Sequence, residues 1–212
     1  MPWSKTSLRR ARLYLILDTE VGTYDQLFEI LTKSVAAGID IVQLRDKKGH
    51  VHQTVQLAKR IAKFLAGRIP FIINDRVDVA LAVGACGVHL GQEDIPLNIA
   101  RQLLGRRYII GASCQTLVHA VKAKREGADY IGFGSVFKTL TKPDRQPMNL
   151  TLLKKVCEKV DLPIFAIGGI TTKNVQSVVS LGIKRVAVCR AICLAPDVVK
   201  AVKEFNALLK KH

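Results

Sequence analysis

The chain has 212 residues, 49% of them apolar, which is enough to bury one large core. This length suits a single α/β barrel as well as two small domains, and we expect one domain over 1–212 with a basic N-terminal extension at 1–11. The formal net charge of +16 would permit binding to nucleic acid. The basic residues are scattered over amphipathic segments without interleaved aromatic residues, so we expect no nucleic-acid partner.

The cysteines and the N-terminal segment exclude two further classes. Five cysteines are an odd number, and none forms a CxxC pair, which argues against a disulfide framework and against a zinc site. The apolar run "LYLIL" is too short for the core of a signal peptide, and no other stretch approaches the length of a membrane span. We therefore expect a cytoplasmic protein with no membrane partner.

Short apolar runs alternate with helical patterns along the whole chain. The predicted strands lie near 13–17, 41–45, 70–74, 87–90, 109–113, 130–136, 163–168 and 185–190. The predicted helices lie near 24–37, 51–66, 76–83, 96–104, 116–126, 149–160, 173–181 and 196–210. Eight βα units in about 200 residues predict a single (β/α)8 TIM barrel. A doubly wound open sheet would need a Gly-rich turn after the first strand, where only Gly22 is present.

The active site of a TIM barrel lies at the carboxyl ends of its strands, so the polar residues that close each apolar run are the candidates. At the second strand Gln43, Arg45 and Lys47 are spaced two apart and would share one face. Asn74 and Asp75 close the third strand, and Asp94 follows the fourth. Two converging carboxylates beside cations suit a Mg²⁺ ion whose other ligands are diphosphate oxygens, although each Asp could instead cap the helix that follows it.

The remaining strand ends supply hydroxyls and glycines. Ser113 closes the fifth strand, and Thr139, Thr141 and Lys142 lie in the stretch 138–148, whose length and lack of periodicity indicate a functional lid. Gly168 and Gly169 close the seventh strand, where backbone N–H groups of a barrel commonly hold a phosphate. His89 lies inside the pattern of the fourth strand, and we interpret it as a core histidine rather than a ligand.

Five ordered blocks carry a resemblance to a known family: "QLRDK", "NDRVDVALAVGACGVHLGQED", "GASC", "YIGFGSVFKTLTKPD" and "AIGGIT". In this order and spacing they resemble the thiamine-phosphate synthase (thiamine phosphate pyrophosphorylase) family of TIM-barrel transferases over nearly the full chain. The resemblance implies a dissociative reaction that joins 4-amino-5-hydroxymethyl-2-methylpyrimidine diphosphate to a thiazole phosphate, or its carboxylated form. The products would be thiamine monophosphate and diphosphate.

The resemblance also implies a set of site residues. Those that would bind the pyrimidine diphosphate are Gln43, Leu44, Arg45, Asp46, Lys47, Asn74, Ser113 and Lys142, of which Arg45, Lys47, Ser113 and Lys142 are the expected catalytic residues. Mg²⁺, the expected cofactor, would be held by Asp75 and Asp94. The thiazole phosphate would be bound by Thr139, Leu140, Thr141, Gly169, Cys189 and Arg190. The expected partners are these small phosphorylated substrates, and the sequence leaves a homo-oligomer open.

Two positions depart from the family pattern. Arg190 stands where the family usually has a small Ser, and Lys138 replaces a proline that commonly precedes the lid threonine. Both departures concern the thiazole phosphate end of the site, and we expect Arg190 to reach that phosphate.

Two rival functions differ from the synthase in class. A related thiazole tautomerase, an isomerase of similar fold, has a characteristic His two residues after the Ser of the fifth strand, where this chain has Gln115. A non-catalytic phosphate-binding barrel would be expected if the polar residues at the strand ends were partly lost, and here they are all present.

Overall fold

Eight parallel strands form a closed barrel in the sequential order β1 to β8. The structure is a computed structural model that describes residues 8–141 and 146–210. The strands are β1 Leu13–Asp18, β2 Ile41–Arg45, β3 Phe71–Asn74, β4 Gly87–Leu90, β5 Ile109–Cys114, β6 Tyr130–Phe133, β7 Ile164–Ile167 and β8 Val186–Val188. The barrel closes where β8 pairs with β1, with Leu13 opposite Val186. The predicted fold class, a (β/α)8 barrel, is therefore confirmed.

Helices follow the strands and cover the outside of the barrel. Within the described residues they are α1 Tyr24–Ala36, α2 Val51–Leu65, α3 Val77–Val83, α4 Leu97–Leu104, α5 Leu117–Arg125, α6 Leu150–Lys159, α7 Val175–Val179, α8 Arg190–Cys193 and α9 Val198–Lys210. A capping box begins α1, in which the Thr23 side chain accepts from the backbone N–H of Gln26 and the Gln26 side chain accepts from the backbone N–H of Thr23. The alternation that indicated eight βα units is thus present in the structure.

The predicted ends of three elements differ from those observed. The sixth strand ends at Phe133 rather than 136, and the seventh helix covers Val175–Val179 rather than 173–181. The eighth strand ends at Val188 rather than 190, because the backbone of Cys189 turns away from the extended conformation at φ −116° and ψ −89°. A short helix, α8, which the sequence did not predict, begins at the next residue, Arg190.

Two apolar cores lie on opposite sides of the sheet. The larger one lies between the strands and the helices, and the smaller one fills the interior of the barrel. Leu8 and Ala11 are buried in the interior core, so these residues of the predicted N-terminal extension pack inside the barrel. Because both faces of every strand are covered, the strands appear in the sequence as nearly continuous apolar runs.

The five cysteines are free thiols, as the odd count and the absence of a CxxC pair predicted. Among the described residues, no helix is both long enough and apolar enough to cross a membrane.

A carboxylate anchors the start of β1 at the end of the barrel where the strands begin. Asp40, just before β2, accepts hydrogen bonds at Oδ2 from the backbone N–H groups of Arg12 (2.8 Å) and Leu13 (2.9 Å). Its own backbone N–H donates to the carbonyl of Leu13 (3.0 Å). The side chain therefore satisfies two partly buried donors at the strand that closes the barrel.

We expect Asp40→Ala to destabilise the protein by about 2 kcal/mol, because two backbone donors would lose their acceptor. For a chain of this size that loss corresponds to a decrease in Tm of about 4–8 °C, measurable by thermal or urea unfolding. Asp25→Ala is the matched control, since the Asp25 side chain is 88% exposed and pairs only at the surface with Arg60; it should cost less than about 1 kcal/mol. Equal losses in the two variants would contradict the role of Asp40.

Candidate active site

A cavity of about 410 Å³ lies at the end of the barrel where the strands finish. Its walls come from strand ends and from the loops that follow β6, β7 and β8. Of the site residues predicted from the sequence, those that line this cavity are Gln43, Arg45, Asn74, Ser113, Thr139, Leu140, Thr141, Gly169, Cys189 and Arg190. The polar residues therefore meet at the end of the barrel where a TIM barrel builds its active site.

The end of β2 places an amide and a cation in the cavity. Gln43 is 3% exposed and donates from Nε2 to the hydroxyl of Tyr14 (2.7 Å). Arg45 donates from Nη1 to the fully buried carboxylate of Asp18 on β1 (2.7 Å), and Glu20 lies 3.7 Å from the same nitrogen. A guanidinium has five N–H donors, so Asp18 can fix the group in place while others remain for a ligand.

Leu44 and Asp46 point away from the cavity, as the alternation of side chains along a strand requires. Leu44 is 1% exposed and lies in the outer core. The carboxylate of Asp46 accepts from the hydroxyls of Thr19, Tyr24 and Thr54 and from the backbone N–H of Gly49. Burial acts to raise the pKa of Asp46, but these hydrogen bonds outweigh it and lower the pKa below its usual value. The side chain of Asp46 thus holds a loop together.

Beside the cavity, Lys47, Asp75 and Asp94 form a charged cluster. Lys47 makes an ion pair with Asp75, and the carboxyls of Asp75 and Asp94 are within hydrogen-bond reach of each other. Burial, together with the facing Asp94, raises the pKa of Asp75, while Lys47 opposes the rise. Asp75 and Asp94 thus form an acidic pair next to the Lys47 ammonium.

Neither aspartate caps a helix, so the alternative role suggested by the sequence is wrong. The residue at the N-cap of α3 is Arg76, and the one at the N-cap of α4 is Pro96; neither makes a side-chain cap bond. Asp75 has a left-handed backbone conformation with φ +62°, and Asp94 accepts from the backbone N–H of Gly91 (2.6 Å). The strained backbone at Asp75 is consistent with a position fixed by its site rather than by a helix.

The paired carboxylates fit a hard divalent cation such as Mg²⁺, which prefers oxygen ligands and is commonly bound by one or two carboxylates plus substrate phosphates. Within the described ranges no group of three or more His, Cys, Asp or Glu side chains could hold a metal ion. The donor set of this chain would therefore be Asp75 and Asp94, and the other ligands would be substrate oxygens and water.

Asn74 and Ser113 complete the wall next to this cluster. Asn74 is the last residue of β3 and lines the cavity. The hydroxyl oxygen of Ser113 on β5 lies 2.9 Å from Nε2 of His89 on β4. An amide at the end of β3 and a hydroxyl at the end of β5 can both donate to an anion that also contacts Arg45.

The opposite wall is the stretch that the sequence predicted as a lid. Lys138, Thr139, Leu140 and Thr141 line the cavity, and the backbone N–H of Thr141 donates to the hydroxyl of Thr139 (3.3 Å). Lys142, an expected catalytic residue, lies outside the described residues.

Gly169 and Arg190 line the part of the cavity that the loops after β7 and β8 build. Gly169 has φ +64°, and a Cβ there would lie 2.3 Å from the carbonyl oxygen of Lys138, so only glycine fits between the two loops. Arg190 is the first residue of α8, and within the described part of the chain its guanidinium has no hydrogen bond or ion pair. The neighbouring thiol of Cys193 and burial raise the pKa of Cys189 far above its usual value, so Cys189 stays neutral.

The sequence did not identify the residues of the cavity floor. Tyr14, Tyr130 and Phe165 form it, with ring centroids 5.4–5.8 Å apart and tilted or edge-on contacts. His89 is 7% exposed, which confirms the predicted core histidine, and it connects Tyr130 to Ser113. A tyrosine inside an otherwise apolar barrel strand is the signal that could have indicated this floor, since a buried hydroxyl needs a partner.

Comparisons with known proteins identify the family of this chain. The family model described as thiamine monophosphate synthase matches residues 13–192. The thiamine-phosphate synthase of Clostridium tetani is 40% identical over 94% of this chain and 96% of its own length. That of Halalkalibacterium halodurans is 40% identical over 97% of this chain and 98% of its own length.

A solved structure shows the same fold with a related sequence. The thiamine phosphate pyrophosphorylase from Pyrococcus furiosus superposes with a TM-score of 0.87 at 34% identity, over 96% of this chain and 98% of the other. With the family model, the relatives and the structure in agreement over nearly the full chain, this protein belongs to the thiamine monophosphate synthase family of transferase enzymes.

Proposed function

We propose that the protein joins 4-amino-5-hydroxymethyl-2-methylpyrimidine diphosphate to a thiazole phosphate, or its carboxylated form, and releases thiamine monophosphate and diphosphate, together with carbon dioxide when the thiazole is carboxylated. The observation that carries the proposal is the convergence of two sets of cationic and polar side chains on one cavity. Arg45, Asn74 and Ser113 come from the ends of β2, β3 and β5, and Lys138 and Arg190 come from the loops after β6 and β8. We assign a diphosphate to the first set, the diphosphate end, and a monophosphate to the second set, the thiazole phosphate end.

The diphosphate end combines fixed donors of several kinds. Arg45 is held in place by Asp18, so its remaining N–H groups are oriented before the substrate binds. Asn74 supplies an amide from β3, and Ser113 supplies a hydroxyl from β5. Donors that are already in position stabilise the negative charge that develops on a leaving diphosphate without reorganisation during the reaction.

The acidic pair is the proposed site of Mg²⁺, held by Asp75 and Asp94. When bound, the ion would neutralise charge on the diphosphate and so favour its departure. Lys47, which pairs with Asp75, adds a cation beside the same group.

The floor of the cavity suits a flat heteroaromatic ring. Tyr14, Phe165 and Ile167 provide apolar contacts. Among the described residues of the floor, only Gln43 carries an amide. We propose that the pyrimidine ring lies on this floor, with its diphosphate directed to Arg45. The ring would then be shielded from water while the bond to the diphosphate breaks.

The thiazole phosphate is proposed to bind at the loops after β6, β7 and β8. Thr139 and Thr141 offer hydroxyls, Gly169 allows close approach of the backbone, and Arg190 offers a cation that no described carboxylate neutralises. We propose that both substrates occupy the cavity together.

The proposed chemistry is a dissociative alkyl transfer. The bond between the pyrimidine methylene carbon and the diphosphate oxygen breaks first, and the bonding electrons leave with the diphosphate. The thiazole nitrogen then gives its lone pair to the methylene cation, which forms the carbon–nitrogen bond. The protein contributes electrostatic stabilisation of the leaving group and orientation of the two rings.

The proposed function predicts that the purified protein, given Mg²⁺ and both substrates, forms thiamine monophosphate and diphosphate in equal amounts. Omission of either substrate should abolish both products, and the thiazole phosphate alone should be recovered unchanged. Chromatography of the products with a diphosphate assay measures this. Isomerisation of a thiazole substrate in the absence of the pyrimidine diphosphate would instead indicate the tautomerase.

For the acidic pair, we expect Asp94→Ala to lower kcat about a hundredfold, because the cation that would stabilise the leaving diphosphate would lose one of its two proposed carboxylate ligands. Removal of divalent cations with EDTA should abolish turnover in the parent enzyme, and added Mg²⁺ should restore it. Glu93→Ala is the matched control, since Glu93 is the exposed neighbour of Asp94 and should leave kcat unchanged. Full turnover in EDTA would rule out the metal.

Arg190 offers a test of the thiazole phosphate end alone. Arg190→Ser should raise the KM for thiazole phosphate roughly ten- to a hundredfold, because a charge-assisted hydrogen bond contributes about 1.5–3 kcal/mol. The KM for the pyrimidine diphosphate should stay within about twofold of the parent value. Arg107→Ser, an exposed arginine just before β5 at the other end of the barrel, is the control for loss of positive charge. If Arg190→Ser leaves both Michaelis constants unchanged, its side chain does not contact the phosphate.

A further inference from the structure

Five side chains from five strands form a continuous row of hydrogen bonds across the cavity floor. Gln43 Nε2 donates to the hydroxyl of Tyr14 (2.7 Å), and the hydroxyl oxygens of Tyr14 and Tyr130 lie 2.8 Å apart. The Tyr130 hydroxyl lies 3.0 Å from His89 Nδ1, and His89 Nε2 lies 2.9 Å from the hydroxyl oxygen of Ser113. We call this set of five the floor chain.

The amide at one end favours one direction for the hydrogen bonds of the floor chain, because the buried Tyr14 hydroxyl accepts from Gln43 and its own proton needs Tyr130 as acceptor. An amide NH₂ can only donate, so the Tyr14 oxygen accepts and the single proton of Tyr14 is free to be given to Tyr130. Tyr130 in turn donates its only proton to His89 Nδ1. A neutral imidazole that accepts at Nδ1 has its proton on Nε2, so His89 donates to Ser113.

The last hydroxyl of the floor chain is therefore a donor toward the cavity. Ser113 accepts from His89, so its own proton points elsewhere, and Ser113 lines the cavity beside Arg45 and Asn74. In the reverse direction Ser113 would give its proton to His89 and turn lone pairs toward the ligand. An anion is attracted in the first arrangement and repelled in the second.

The packing around the two tyrosines keeps the floor chain in place. Tyr14 is 1% exposed and Tyr130 is 0% exposed, and both contact the Phe165 ring. Gly111 on β5 makes room for Tyr130, since a Cβ there would lie 2.1 Å from the ring. Burial raises the pKa of both tyrosines far above the usual value, so both hydroxyls keep their protons at any ordinary pH.

We propose that Tyr14, Tyr130 and His89 are positioning residues that fix the Ser113 hydroxyl as a hydrogen-bond donor to the leaving diphosphate. The inference rests on the proposed function for the identity of the anion. Hydrogen bonds in a buried row polarise one another, so the proton of Ser113 is a stronger donor than that of an isolated serine. The hydrogen bond from Ser113 strengthens as negative charge accumulates on the leaving group. Its loss should therefore lower kcat.

The direction of the floor chain can be tested without turnover. In nitrogen-15 NMR of the imidazole side chains near pH 8, with the His89 signals assigned from a His89→Gln variant, we expect the tautomer protonated at Nε2. The tautomer protonated at Nδ1 would reverse the direction and overturn the proposal. Failure to form thiamine monophosphate would contradict the proposed function. The NMR measurement needs no substrate, so it would still decide the direction of the floor chain in that case.

The effect on catalysis requires a double-mutant cycle of Tyr130→Phe and Ser113→Ala. Tyr130→Phe alone should lower kcat about tenfold, with the KM for the pyrimidine diphosphate nearly unchanged. If Tyr130 acts through Ser113, the same change should have no further effect on kcat in the Ser113→Ala protein. Independent, multiplicative losses would mean that Tyr130 only stabilises the floor, and the proposal would be wrong.

Two further variants guard against effects on folding. Tyr14→Phe interrupts the floor chain one link earlier and should reproduce the loss in kcat and its dependence on Ser113. Tyr108→Phe is the matched control: this tyrosine lies just before β5 at the opposite end of the barrel, and its change should leave kcat unaltered. All rates are compared below the Tm of each variant, and a normal kcat in folded Tyr130→Phe and Tyr14→Phe would overturn the proposal.

Discussion

Closure of eight parallel strands is the constraint on which the rest of the molecule depends. Because every strand runs in the same direction, all eight carboxyl ends meet around one opening, and residues as distant as Arg45 and Arg190 line one cavity. The interior left by closure is narrow, so its side chains must pack in layers and any polar group there must find a partner inside the barrel. The floor chain is a consequence of that requirement.

Charge is distributed unevenly over this framework. The whole chain is strongly basic, with a formal net charge of +16, while Asp75 and Asp94 concentrate negative charge at one point of the cavity rim. A basic surface attracts phosphorylated molecules over a distance that salt screening sets at about 8–10 Å. Under the proposed function, the acidic pair would hold the cation that the diphosphate shares, so general attraction of anions and selection of a particular anion would depend on different residues.

The sequence predicted the fold and part of the site because both rest on local patterns. Alternation along β2 placed Gln43 and Arg45 on the cavity side and Leu44 on the other, as observed. The role of Asp46 could not be predicted, since its partners Thr19, Tyr24 and Thr54 come from separate segments. His89 was correctly predicted as a core residue, but its hydrogen-bond partners and those of the two floor tyrosines were not predicted, because such partners are known only once strands distant in sequence are placed together.

The seam between β1 and β8 has a consequence for how the chain acquires its structure. To close the barrel, Leu13 must pair with Val186. This pairing joins the first and last strands and is the least local of the strand contacts. Contacts between distant residues form late, because the entropy of the intervening chain opposes them. Until β8 is in place the sheet is an open ribbon with two unpaired edges, both able to recruit strands from other molecules. A substitution that prevents β8 from pairing therefore exposes two aggregation-prone edges, those of β7 and β1. The β1 edge lies at the opposite end of the sequence.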